Sequence, residues 1–205
     1  MLEALPFPNP KIESLRQLPS DPETTVVAGL HEDQPLGPTL QAIDDAGNGW
    51  LTALIDRGQV NGKSGSSYQL VIPADSGKVG GLLFLMGLGR PDRLNRTAAL
   101  NASATAMRAL NKQAHENIVI ALAECFDDGV ADALIAGVLT GVEGQAIYQN
   151  DPGTFVPERI QVLDVSPSDV QRGQSIGQAI NHTRRLVNEP AAMIYPQSFC
   201  DRARD

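Results

Sequence analysis

The stretch 80–89, GGLLFLMGLG, decides how this chain is read. It is apolar on both alternating faces, as a strand covered by helices on each side must be. At this length it is about half of what a membrane crossing needs, so it reads as a buried central strand rather than a membrane span. Glycines at its end mark a turn into the next element, and Asn95 is placed to cap a helix over RTAALNASATAMRALNKQ. Leu100, Met107 and Leu110 lie along that helix's apolar stripe.

The same alternation extends outward in both directions. Short, β-branched strands are predicted at 24–30 (TTVVAGL), 67–72 (SYQLVI), 117–124 (NIVIALAE) and 158–165 (ERIQVLDV). A weaker one, KIESLRQL, near the start would make six. Between them lie helical stretches. Leu36, Leu40 and Ile43 recur at helical spacing before Gly47 and Gly49. Leu51, Leu54 and Ile55 share a face ahead of Gly58. Leu134, Ile135, Val138, Leu139 and Val142 form a core-facing stripe in a segment that opens on Asp127 and Asp128. A long helix runs from about 168 to 188, with Gly173 and Gly177 four apart for close packing. Strands separated by helices give an α/β fold: a mixed, largely parallel sheet of about five to six strands with helices on both faces. The sheet domain is expected to close near Val165, with the last long helix leading away from it.

Charge and cysteine content narrow the class. Sixteen Lys and Arg are scattered among 24 Asp and Glu for a net charge of −8, so nucleic acid is not the expected partner. Cys125 and Cys200 stand 75 positions apart with no CxxC pattern, which fits a reducing cytoplasm. The first residues, MLEALPFPNPK, lack the basic and apolar regions of a signal peptide, and no membrane partner is expected.

No catalytic constellation emerges. GLGR (87–90) has two glycines of a dinucleotide loop, but the third position of the pattern is Leu94 or Asp92, and no Walker lysine follows. TGVEG (140–144) has the glycines of a phosphate loop but sits in an apolar stripe, as the interior of a helix would. His31, His115 and His182 are dispersed, with no HxH or HExxH. Asp44–Asp45 and Asp127–Asp128 fall at helix edges, where capping or solvated acids belong. There is no GxSxG, and both cysteines read as packing residues.

One junction is more specific. TRRLVNEP (183–190) stops a helix, and YPQSF (195–199) opens another with Pro196 in its first turn. This pattern resembles the junction in leucyl aminopeptidases of the cytosol aminopeptidase family, where Arg-x-Leu-x-Asn-x-Pro is followed by Thr-Pro. Arg184, Leu186, Asn188, Pro190 and Pro196 match. Ala191, Ala192 and Tyr195 depart, standing where relatives usually carry Pro, Asn and Thr. The missing Thr removes a capping hydroxyl, so the new helix is expected to start less sharply. Upstream, GWLTALIDRGQVNGKSGSSYQLVIP and LLFLMGLGRPDRLNRTAALNASATAMRAL follow the family's order and spacing, so the likeness covers about residues 20 to 205.

The resemblance implies a macro-domain-like N-terminal domain over 1–166 with no active site, a linker helix over 167–189, and the truncated start of a catalytic domain over 190–205. It implies that the missing part binds two divalent metals, zinc or manganese, and removes N-terminal amino acids from peptides as a cytoplasmic hexamer. The catalytic motifs of that part do not occur here, so no catalytic or metal residue is assigned to any position. The expected partners are the chain's own catalytic domain, further copies of itself and, through the whole protein, a peptide substrate. The chain alone is expected to be inactive. The competing reading is a free-standing macro-like module that binds ADP-ribose or a related nucleotide.

Overall fold

A computed structural model describes residues 8, 10–73, 81–143, 153–190 and 193–202. Ala191, Ala192, Gly80 and the last glycine of TGVEG, Gly144, lie outside the described residues. Six strands, β1 (Lys11–Leu15), β2 (Thr24–His31), β3 (Ser67–Val71), β4 (Leu82–Gly89), β5 (Asn117–Ala121) and β6 (Arg159–Leu163), form one sheet in the order β1-β6-β5-β2-β4-β3. Five are parallel; β3 alone runs antiparallel, as the outer arm of a hairpin with β4. The weakest predicted strand, β1, is an edge strand with one fully buried residue of five, so its apolar signal is diluted.

The helices are α1 (Pro38–Ala46), α2 (Trp50–Asp56), α3 (Arg96–Leu110), α4 (Ala131–Val142), α5 (Pro167–Asn188) and α6 (Pro196–Arg202). α1 and α2 cover one face of the sheet, packing Leu40, Ile43 and Leu51 on Val26, Ala28, Leu83 and Leu85. α3 and α4 cover the other, with Met107, Leu134, Ile135 and Val138 on Val27, Ile118, Ile120 and Val162. The run LLFLMGLG is therefore buried on both sides, as its composition requires. Asn95 caps α3, its side chain accepting the Ala98 N–H at 3.0 Å, and Ser166 caps α5 by accepting from Asp169 N–H at 3.1 Å.

Three expectations change in detail. Asp127 and Asp128 lie ahead of α4, whose first turn holds Asp132 instead. The segment TGVEG is not wholly helical: α4 ends at Val142 and Glu143 is its extended cap. Nor does α5 stand clear of the sheet layers. Its glycines abut α4 so closely that a Cβ on Gly173 would lie 2.4 Å from the Ile135 Cβ, and one on Gly177 2.9 Å from the Leu139 Cβ. That close approach is what the four-residue glycine spacing serves.

Candidate functional site

In an open α/β sheet, ligands bind beyond the carboxyl ends of the strands, where neighbouring strands send their chains to opposite faces. Here that switch point lies between β2, which leads to α1, and β5, which leads towards α4. The crevice is occupied by the chain itself. Just after β5, Glu124 reaches across to the start of α1. Its carboxylate accepts from the Thr39 N–H at 3.2 and 3.3 Å and from the Thr39 hydroxyl at 2.8 Å. The N-cap of α1 is Gly37, which has no side chain to offer, so Glu124 supplies the missing negative charge. A ligand phosphate would use these same donors.

Next to it, the Cys125 thiol points at the Gly29 carbonyl at 3.7 Å. Burial, with the Glu124 charge beside it, pushes this thiol up to about 12, so it is a packing group and not a nucleophile. The GLG turn is closed as well. Gly87 N–H donates to the Ser66 carbonyl at 2.8 Å and Gly89 N–H to the Gly62 carbonyl at 2.7 Å. A Cβ on Gly87 would lie 2.2 Å from the Lys63 carbonyl oxygen. These glycines admit the loop 61–66 over the strand end rather than a pyrophosphate.

The buried carboxylates are committed in the same way. Asp44, at the end of α1, accepts from the Leu51 N–H at 2.7 Å and the Thr52 N–H at 3.2 Å, and so caps α2 from outside it. Asp132 takes two bonds of 2.6 Å from the Arg96 guanidinium of α3 and one of 3.1 Å from Arg172 Nε of α5. Arg96 holds its carboxyl below the usual range, against the opposing effect of burial. Glu143 accepts from Arg185 Nε at 2.6 Å, a pair with side chains only 3% and 11% exposed. Among the described residues, no three His, Cys, Asp or Glu are grouped to hold a metal. A two-metal centre needs several uncommitted carboxylates in one cavity, and the donor set among the described residues does not fit one.

His31 ends β2, His115 precedes β5 and His182 lies on α5, so the structure does not bring them together. His115 Nδ1 shares a hydrogen bond of 2.9 Å with the Thr25 hydroxyl, and burial lowers its pKa.

The junction residues have a definite structural place. Arg184 Nη1 donates to the Thr140 carbonyl at 2.9 Å, and Asn181 Nδ2 to the Leu139 carbonyl at 3.0 Å. Arg184, Asn181 and Arg185 thereby tie the end of α5 to the carboxyl end of α4, where cations and donors are favoured. Leu186 is half-buried, whereas Asn188, Pro190 and Pro196 are exposed. At Tyr195, which lacks the expected capping hydroxyl, Ser198 Oγ reaches back and accepts the Tyr195 N–H at 3.0 Å. Asn181 and Arg185 continue the helical face of Gly173 and Gly177 at four-residue steps, with Arg184 three residues on from Asn181. That spacing is the signal by which the seam could have been traced further than its glycines.

Residues 27–151 match the model of the cytosol aminopeptidase family, N-terminal domain. The chain belongs to the cytosol aminopeptidase family. A probable cytosol aminopeptidase of Rhodopirellula baltica is 31% identical over 98% of the chain, which covers 41% of that relative. Another, from Nitrosococcus oceani, is 25% identical over 87% of the chain and 38% of its own length. The chain thus spans about two fifths of the curated relatives it matches. Among solved structures, a K354E mutant of tomato leucine aminopeptidase superposes on 99% of the chain and 44% of its own with a TM-score of 0.75 at 21% identity. A bottromycin maturation enzyme, BotP, in complex with Mn, covers 88% of the chain with a TM-score of 0.59 at 21% identity. At such identities the likeness is one of fold. The matched family region is an N-terminal domain, and the aminopeptidase reading is favoured over a nucleotide-binding macro module. No described helix is long and apolar enough to cross a membrane.

Proposed function

We propose that this chain serves as the non-catalytic, assembly and regulatory domain of a two-metal aminopeptidase that removes N-terminal residues from peptides. The observation that carries the reading is the commitment of Asp44, Glu124, Asp132 and Glu143 to helix ends and arginines within a family N-terminal domain. On this reading the zinc or manganese ions belong to a catalytic domain beyond the junction, and the chain alone cleaves nothing. Residues 1–166 form the domain, 167–189 the helix that carries the chain onward, and 190–205 the entry to the catalytic part. Val187, Tyr195 and Phe199, which are 78%, 56% and 48% exposed, support this role, since large apolar side chains near a junction suit a following domain. The whole protein works in the cytoplasm as a homo-oligomer, a hexamer, and the net charge of −8 on these 205 residues argues against nucleic acid as a partner of this domain. Metal analysis of the purified chain after dialysis against manganese or zinc tests the reading. Less than a tenth of an equivalent, roughly, is the expected result, because a site of useful affinity needs several converging ligands; a full equivalent retained would overturn it.

The nucleotide alternative has no observation in its favour. The donors that would take a phosphate at the switch point are held by Glu124.

A further inference from the structure

The connection from α3 to β5, residues 111–116, is pinned at both ends by neutral amides. Asn111, 2% exposed, donates through Nδ2 to the Gly141 and Val142 carbonyls at 3.2 Å each. Its own carbonyl accepts the Phe155 N–H at 2.7 Å. Asn117, the first residue of β5, donates to Thr24 Oγ1 at 3.1 Å and to Gln161 Oε1 at 3.0 Å. Between these clamps sits His115, the one side chain of the connection that changes charge near neutral pH.

The seat of this histidine suits a neutral ring. Nδ1 shares its 2.9 Å hydrogen bond with the hydroxyl of Thr25, a buried residue at the start of β2. Nε2 is enclosed and makes no hydrogen bond among the described residues. A neutral imidazole carries one N–H, whereas an imidazolium carries two and needs an acceptor for each. Burial disfavours the charged ring, and the Leu110 carbonyl, which favours the proton, does not offset it. The charged groups around this end of the sheet stand in water. Arg108 and Lys112 at the end of α3, Asp21 and Glu23 ahead of β2, Glu116 ahead of β5, and Glu158 and Arg159 at the start of β6 are all exposed. The four carboxylates act on one another: Glu23, with Glu158 and Asp21, holds the Glu116 carboxyl above its usual range. Neither they nor the cations are among the influences on the seated imidazole.

We propose that His115 is an acid-operated latch on the α3–β5 connection. Neutral, it closes residues 112–116 onto β2 through Thr25. On taking up a proton it leaves that seat, and the connection swings out to where the imidazolium meets the carboxylates of Asp21, Glu23, Glu116 and Glu158. One proton thus biases two states of one short segment. The amide clamps at Asn111 and Asn117 do not titrate, so the opening stops at them and the core stays folded. The direction follows from linkage. The pKa of the ring is depressed when closed and returns to about 6.5 when open, so the closed state is fully favoured above that value. As pH falls from about 6.5 towards the closed-state value, each unit favours the open state about tenfold. The amino end of the sheet therefore presents a different surface in neutral and in mildly acid surroundings. The inference rests on the seat of His115 and not on the proposed catalytic context.

Amide hydrogen exchange of the 205-residue chain, followed by NMR, tests this. The reporter is Gln113, whose N–H donates to the Leu110 carbonyl at 3.1 Å. Corrected for the intrinsic pH dependence of exchange, its protection should fall severalfold, up to about tenfold, between about pH 6.5 and about pH 5.5. Protection of Ile120, in the core of β5, should hold over the same range. His115→Gln can still bond Thr25 but cannot take up the proton, and it should remove the response. Glu116→Gln changes only an exposed side chain and carries the test should the histidine variant not fold. It should reduce the open population at about pH 5.5 about two- to fivefold, the size of an exposed ion pair. Constant protection at Gln113 in the wild-type chain overturns the inference. So does a response that His115→Gln leaves intact, a Glu116→Gln chain that opens as readily as wild type, or equal losses at Gln113 and Ile120, which would mean global unfolding.

Discussion

Replacing Asp132 with Asn should loosen three helices at once. The carboxylate sits in the first turn of α4 with its side chain 5% exposed, between Arg96 of α3 and Arg172 of α5. Asparagine keeps the shape but presents only one acceptor oxygen, without charge, to three guanidinium donors. Breaking a buried ion pair costs about 3–5 kcal/mol when the orphaned charge is trapped. Here Arg96 and Arg172 are 51% and 60% exposed and can turn to water, so the loss should be nearer 2 kcal/mol. For a chain of this size that is a fall in Tm of roughly 4–8 °C. The pH dependence has a definite sign. The folded-state pKa of Asp132 is depressed, chiefly by Arg96, so its stabilisation is present above the unfolded carboxylate value of about 3.9. It is lost as pH falls through the lower folded value. Urea melts of both proteins should therefore differ at pH 7 and converge below about pH 4. A difference under about 0.5 kcal/mol at pH 7, the ordinary range for surface substitutions, would refute the clamp.

Other substitutions probe the remaining contacts. Gly173→Ala should destabilise by about 1–2 kcal/mol in a urea melt: overpacking against the Ile135 Cβ and the Asp132 carbonyl outweighs the roughly 1 kcal/mol that alanine gains in a helix. Glu124→Ala should cost about 1 kcal/mol through the lost α1 cap, and the wild-type chain should give no calorimetric heat with ADP-ribose at about 100 µM. Iodoacetamide at pH 8 should modify exposed Cys200 and leave Cys125 intact, as peptide mapping would read, since a thiol at about 12 is almost wholly protonated there.

What the sequence records well is local. The central strand is legible because burial on both faces leaves no polar alternation, and Asn95 because capping acts over three residues. The placing of β3 is less so. Its residues read as a strand in either direction, and only the short connection to β4, too short for a crossover helix, speaks for a hairpin. The contacts that close the candidate site are the least legible. Glu124 caps Thr39 from 85 residues away, and Asp132 meets Arg96 and Arg172 at separations of 36 and 40. No periodicity links such partners; the fold alone brings them together. Asp44 is an intermediate case, since an acid at the end of α1, seven residues before Leu51, could have been read as the cap of α2. Arg184, Leu186, Asn188, Pro190 and Pro196 can be read as a pattern, but a sequence motif does not say that Arg184 is spent on the Thr140 carbonyl.

Hydrolysis of leucine p-nitroanilide by the purified 205-residue chain, with and without added manganese or zinc, bears most directly on its role. A non-catalytic domain gives no turnover above buffer under any of these conditions. Metal-dependent turnover that co-purifies with the chain would contradict that role, and would require carboxylates assigned here to helix ends and arginines to hold metal instead.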